Sequence, residues 1–270
     1  AQVDARMIAE ELFRRVTKRD GGIYSERSSV GLSAFKARLY KRYQHARHLA
    51  VLDGALEQVT RYVETGGREG IGRLIVEMPP RHGKSLTISR LYPAWHLGRN
   101  PSHRMMLVSY GADLAWKHSR AARNFMRSPA YREMFKAQLA PDSQAMGAWD
   151  VAGRDGEIHS EGGMDALGID GGATGKGAHV LIIDDPVKNR AQAESSTYRE
   201  NIWEAFRDDL YPRLEPGGTI ILVMTRWHMD DLVGRALKYM ADERWMRLRM
   251  PAIRPDAEMI PSDFEAWRQP

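Results

Sequence analysis

Leu74-Ile75-Val76-Glu77-Met78-Pro79-Pro80-Arg81-His82-Gly83-Lys84-Ser85 places a short apolar run ahead of a proline-containing loop that closes on Gly-Lys-Ser. A helical pattern over Ser85–Leu97 follows at once, so the order is strand, loop, helix, the context a phosphate-binding loop requires. In the full pattern G-x-x-x-x-G-K-[ST] the first glycine falls on Met78, so only the second half is matched. That half carries the chemistry. Gly83 lets backbone N–H groups approach a phosphate, and the helix starting near Lys84 turns its positive end toward the anion. Lys84 bridges β- and γ-phosphates, and the Ser85 hydroxyl suits Mg²⁺. The candidate nucleotide-binding residues are Pro80, Arg81, His82, Gly83, Lys84, Ser85 and Leu86, with the two prolines stiffening the loop where the glycine is missing. The competing reading is a surface turn that merely precedes a helix.

A second apolar run, Ala178-His179-Val180-Leu181-Ile182-Ile183, delivers Asp184 and Asp185 at its end. Neighbouring residues at a strand tip point to opposite sides, which lets Asp184 hold Mg²⁺ while Asp185 orients an attacking water. The alternative is that both cap the helix near Ala193 or face solvent. A third run, Thr219–Met224, ends in Thr225-Arg226, where Thr225 is placed to bond the water or γ-phosphate and Arg226 to sense the charge lost on hydrolysis. Equally, these two residues open a loop in which Asp230 caps the next helix.

Working outward, apolar strands alternate with helical patterns: helix Ser85–Leu97, strand Met105–Ser109, helix Asp113–Arg127, strand Val180–Ile183, helix Ala193–Leu210, strand Thr219–Met224, helix Asp230–Tyr239 and strand Met246–Met250. The stretch between Arg127 and Ala178 reads as loop. Ahead of the first strand, Leu49, Leu52, Leu56 and Val59 mark a helix that stops at Gly66-Gly67, preceded by a basic, Tyr-containing stretch from Lys36 to Arg47. Alternation of this kind predicts an α/β fold with a mostly parallel central sheet and helices on both faces. The strand tips then share one edge, where such sheets bind ligands. A hydrolytic P-loop enzyme, an NTPase of the ASCE type, needs one strand between the phosphate-loop strand and the acidic strand; Met105–Ser109, which lies between them in sequence, is the candidate. Residues 1–45 are expected to form a small N-terminal helical extension, with an amphipathic helix over 2–19; 46–254 the ATPase domain; and 255–270 a linker or truncated tail.

Composition closes off other classes. The 270 residues hold no cysteine, which removes disulfides, thiol nucleophiles and zinc–cysteine sites. No apolar run approaches the ~18 residues of a membrane span, so no membrane association is expected. Lys and Arg number 40 against 35 Asp and Glu, a net +5 that permits a polyanionic partner without requiring one. On helix Asp113–Arg127, Leu114, Ala115, Ala121, Ala122, Phe125 and Met126 share one face, while Lys117, Arg120, Arg123 and Arg127 fall opposite. Such a stripe is either a surface that tracks DNA phosphates or a solvated helix face.

Five blocks in this order resemble the N-terminal ATPase part of tailed-bacteriophage terminase large subunits: Met78 to Ser85, Tyr110-Gly111-Ala112-Asp113-Leu114-Ala115, Gly175-Lys176-Gly177-Ala178, Ile183-Asp184-Asp185-Pro186, and Met224-Thr225-Arg226-Trp227-His228. The resemblance runs from about Tyr43 to Pro251. It implies a motor that hydrolyses ATP with Mg²⁺ to move double-stranded DNA into a procapsid. Such a motor works as a self-associated ring on the portal protein, with the terminase small subunit as partner, in the cytoplasm of the infected bacterial host. It further implies that Arg81 is the arginine of a variant phosphate loop, that Thr225 couples hydrolysis to movement, and that Lys176 stands where a neighbouring subunit's finger is often Arg. Lys lacks the planar fork of Arg, so Arg190 or Arg199 are alternatives. Residues upstream of the first strand contact adenine in the family, which points to Tyr43 and Gln44, a stacking ring and an amide, with core packing as the alternative role for Tyr43. Similar proteins carry a C-terminal nuclease domain, for which this chain leaves no room, so nuclease activity is not expected. Rival readings are a P-loop kinase or helicase-like translocase, and a nucleotide-gated assembly module.

Overall fold

The computed structural model describes residues 30–152, 158–173 and 175–251. The expected helix over 2–19 and tail over 255–270 lie outside them. Eight strands form one sheet in the order β3-β4-β5-β2-β6-β7-β1-β8. They are β1 (Arg73–Glu77), β2 (Arg104–Ser109), β3 (Gln138–Gln144), β4 (Ala148–Ala152), β5 (Ile158–Gly168), β6 (Ala178–Asp184), β7 (Leu214–Met224) and β8 (Met246–Arg249). From β5 to β8 every pairing is parallel, and β4 and β3 extend the sheet antiparallel.

The parallel block explains the unbroken apolar runs, because both of its faces are covered. Leu74, Val76, Met105, Leu107, Val180, Ile182, Ile221 and Val223 enter one core, beside helix Arg47–Glu64, the helical stretch 84–99 and helix Ala112–Met126. Their neighbours Ile75, Met106, Val108, Leu181, Ile183, Ile220 and Leu222 enter a second core, beside Trp203, Phe206 and helix Leu232–Tyr239. Alternate residues of one strand thus anchor opposite layers. Helix Leu32–Leu39 joins the first core through Phe35, and its buried Lys36 pairs with buried Asp53 at 2.5 Å.

Two readings of the sequence are corrected here. One strand does separate β1 from β6, as an ASCE sheet demands, but it is β7 and not Met105–Ser109; β2 lies on the far side of β6. Chain order cannot distinguish these, since both strands are equally apolar. The stretch read as loop also contains helix Pro129–Met134 and strands β3, β4 and β5. A Cβ on Gly162 would lie 1.6 Å from the Pro101 carbonyl oxygen, so that glycine allows close packing inside a strand.

Candidate functional site

β1, β7 and β6 end at a common level: Glu77 is in register with Met224, and Val223 with Asp184. The chain leaves β1 through buried Met78, whose side chain fills the core where the standard loop has its first glycine. Arg81 and Gly83 both have left-handed backbones, φ 65° and 88°, and a Cβ on Gly83 would stand 3.1 Å from Leu49. The loop therefore curls tightly over the start of helix Arg47–Glu64. His48 Nε2 also lies 3.2 Å from the His82 carbonyl, and the His82 ring turns back onto Pro80 O at 2.8 Å. The helical stretch begins at Lys84, with Thr87 N donating to Gly83 O at 2.9 Å, and widens into a π-helical turn over Leu86–Leu91.

Five residues named from sequence meet here. Lys84 Nζ forms an ion pair with Asp185 Oδ2, and Ser85 Oγ donates to Asp184 Oδ1 at 3.2 Å. Asp185 stands in the left-handed region, φ 47°, and its Oδ1 accepts the Thr225 backbone N–H at 3.1 Å. The Thr225 hydroxyl donates to Met78 O at 3.2 Å, so one residue of the β7 tip ties the phosphate loop to the acidic pair. Asp184 is fully buried, and burial, reinforced by the charge of Asp185, lifts its pKa to about 6 against the pull of Lys84, Ser89 and Ser85. Ser89 Oγ donates to Asp184 Oδ2 at 2.6 Å, and His118 Nε2 lies 3.5 Å from the same oxygen. Burial, with Arg90, Lys117 and Lys84 nearby, lowers His118 to about 3, so its ring is neutral at pH 7.

The donor set fits Mg²⁺. At about 2.1 Å per bond, two adjacent octahedral ligands lie about 3.0 Å apart, close to the 3.2 Å between Ser85 Oγ and Asp184 Oδ1. Among the described residues no group of three His, Asp or Glu forms a cage for a metal. Mg²⁺ held by a hydroxyl, one carboxylate and substrate phosphates needs none.

Other sequence candidates are placed elsewhere. Arg226 bonds Asp231 at 2.5 Å, Glu77 at 2.7 Å, and the carbonyls of His228 and Met229, so all three of its nitrogens brace the loop after β7. Lys176 pairs with buried Asp165 at 2.6 Å. Through Met106, Asp165 is in register with Leu181, three residues short of Asp184, which is about 10 Å along the strand. Arg199 bonds Ala193 O and Asp230, while Arg190 is mostly exposed beside Glu194. Tyr43 lies over the Lys36 ammonium at 4.6 Å and edge-on to His45, and Gln44 is exposed. The residues that touch the loop from that side are His48 and Leu49, which carry no motif.

The basic stripe is split. Lys117 and Arg120 are exposed, but Arg123 is buried and donates to the Gln144 carbonyl, and Arg127 bonds the Gln144 side chain. The inner face of this helix is Ala115, His118, Ser119, Ala122, Arg123 and Met126, which corrects the face assigned from apolar residues alone. Ser119 is held there by the Trp149 indole N–H at 2.8 Å.

The family model for the N-terminal part of the terminase large subunit, T4likevirus-type, matches residues 75–268, a span that takes in the phosphate loop, both aspartates and the β7 tip. The chain belongs to this family. Comparison with curated proteins gave no match. Two solved structures of the large terminase from a thermophilic bacteriophage are similar to this terminase domain. The one in complex with ATP-gamma-S has 6% identity and a TM-score of 0.42; the one in complex with ADP has 7% and 0.40. Each match covers 73% of this chain and 44% of the other, so the chain spans less than half the length of those proteins. Among the described residues no helix of the domain is long and apolar enough to cross a membrane.

Proposed function

We propose that this terminase domain hydrolyses ATP with Mg²⁺ and that hydrolysis drives double-stranded DNA into a procapsid. The observation that carries the reading is the convergence of Lys84 and Ser85 with Asp185 and Asp184, joined by Thr225 of the strand between them. Lys84 and the loop N–H groups bind the β- and γ-phosphates, with Arg81 on the exposed side of the same loop. Ser85 and Asp184 hold the metal, which when bound offsets charge on the phosphate oxygens. Triphosphate oxygens compete with Asp185 for the Lys84 ammonium. An Asp185 carboxylate relieved of that pair orients the water that attacks the γ-phosphorus and accepts its proton as the bond to the bridging oxygen breaks and ADP leaves. Thr225, bonded to both Asp185 and Met78 O, couples that change to the loop after β7.

Lys176 lies too far along the sheet to serve the nucleotide of its own chain, which supports a role at the site of a neighbouring subunit. In this reading the domain assembles as a ring on a portal protein, with the terminase small subunit as partner, in the cytoplasm of the infected host. Lys117 and Arg120 supply sequence-independent contacts to DNA phosphates.

Asp185→Asn tests the catalytic assignment. Binding of a labelled ATP analogue is expected to persist while phosphate release falls by about 100-fold or more, the scale of a lost general base. Unchanged phosphate release refutes it.

A further inference from the structure

Asp184 is gripped unevenly. Its Oδ2 receives the hydroxyl of Ser89, a wholly buried residue, at 2.6 Å and faces His118 Nε2 at 3.5 Å, whereas its Oδ1, among the described residues, meets Ser85 alone, at 3.2 Å. Ser85 and Ser89 are four residues apart in the helical stretch 84–99, so their side chains reach the carboxylate from one side. His118 comes from helix Ala112–Met126 across the layer. Arg90 Nε donates to His118 Nδ1 at 2.9 Å. A guanidinium nitrogen cannot accept, so Nδ1 is the bare nitrogen and the ring proton sits on Nε2, facing Asp184.

We propose that Ser89 and His118, with Arg90 behind the imidazole, are positioning residues that occupy Asp184 Oδ2 and thereby reserve Oδ1, beside Ser85, for the divalent cation of a bound nucleotide. The inference deepens the nucleotide-site reading above and rests on it. A carboxylate free to turn presents either oxygen; one oxygen held by the Ser89 hydroxyl at 2.6 Å and faced by the His118 N–H at 3.5 Å fixes its plane. Outer partners of this kind typically tune metal affinity by 10- to 100-fold.

The test is equilibrium binding of a fluorescent ADP analogue to the full chain, titrated against free Mg²⁺ and repeated in excess EDTA. Ser89→Ala and His118→Phe are expected to raise the Mg²⁺ midpoint by about 10-fold or more while leaving binding in EDTA as in the unaltered chain. His118→Gln, which restores an N–H near the Nε2 position, is expected to bring the midpoint back. Because Ser89 is wholly buried, the two His118 variants carry the test where Ser89→Ala does not fold. An unchanged Mg²⁺ midpoint overturns the proposal, as does an equal loss of binding with and without Mg²⁺, which marks a scaffold role. Absence of nucleotide binding by the unaltered chain overturns the site reading itself, and this inference with it.

Discussion

Asp184→Asn should stabilise the domain at neutral pH while removing the carboxylate proposed to hold the metal. Asp184 is fully buried with a pKa raised from 3.8 to about 6, so ionising it in the folded state at pH 7 costs about 3 kcal/mol more than in the unfolded chain. A raised carboxylate contributes stability that is complete below its unfolded value and is lost as pH climbs through its folded value. The loss therefore falls between pH 3.8 and about 6. Asparagine never ionises and keeps the contacts: its oxygen accepts from Ser89 and faces His118, and its amide donates to Ser85 Oγ. Urea unfolding in EDTA, followed by tryptophan fluorescence, should show the variant more stable by up to about 3 kcal/mol at pH 7.5, with the difference closing near pH 4. A gain that persists unchanged at pH 4 assigns the effect to packing. A variant less stable than the parent at pH 7.5 shows that Lys84, the two serines and His118 stabilise the anion by more than burial costs, and the reasoning fails.

Lys84→Met should weaken binding of an ATP analogue by about 10- to 100-fold, the worth of one or two charge-assisted bonds, read by equilibrium titration; unaltered affinity would remove Lys84 from the site. Gly162→Ala should cost well over 2 kcal/mol in urea unfolding, because its Cβ would sit 1.6 Å from Pro101 O; a neutral effect would refute the packing given for β5. The basic helix separates by role. Lys117→Ala with Arg120→Ala should reduce the salt slope of duplex DNA binding by about 2 at constant stability. Arg123→Ala should instead lower stability by about 1–3 kcal/mol through the orphaned Gln144 carbonyl.

Where one physical signal dominated, the sequence was sufficient. Leu74–Val76, Val180–Ile183 and Thr219–Met224 are apolar without alternation because both faces of a parallel strand are covered, and each indeed lies inside the sheet. The polar tips of these strands could be named because any chemistry at such an edge needs them there. Strand order was not legible: nothing in the composition of β2 or β7 says which one lies against β1. The β3–β5 extension escaped because glycines that permit a close approach look like glycines that permit a turn. On helix Ala112–Met126 a hydrophobicity pattern placed Arg123 outside, whereas the Gln144 carbonyl draws it inward. Ser89, Arg90 and His118 belong to no spacing rule that names them.

Two non-glycine residues at the site, Arg81 and Asp185, hold backbones with φ of 65° and 47°, a conformation that typically costs a residue with a side chain on the order of 1 kcal/mol or more. Add the burial of Asp184, and the phosphate edge is where the domain is least relaxed. A library selected only for heat resistance should thus converge on glycine at 81 and 185 and on asparagine at 184. Its winners would be durable and inert, and the map of their substitutions would outline the proposed nucleotide site without any enzyme assay.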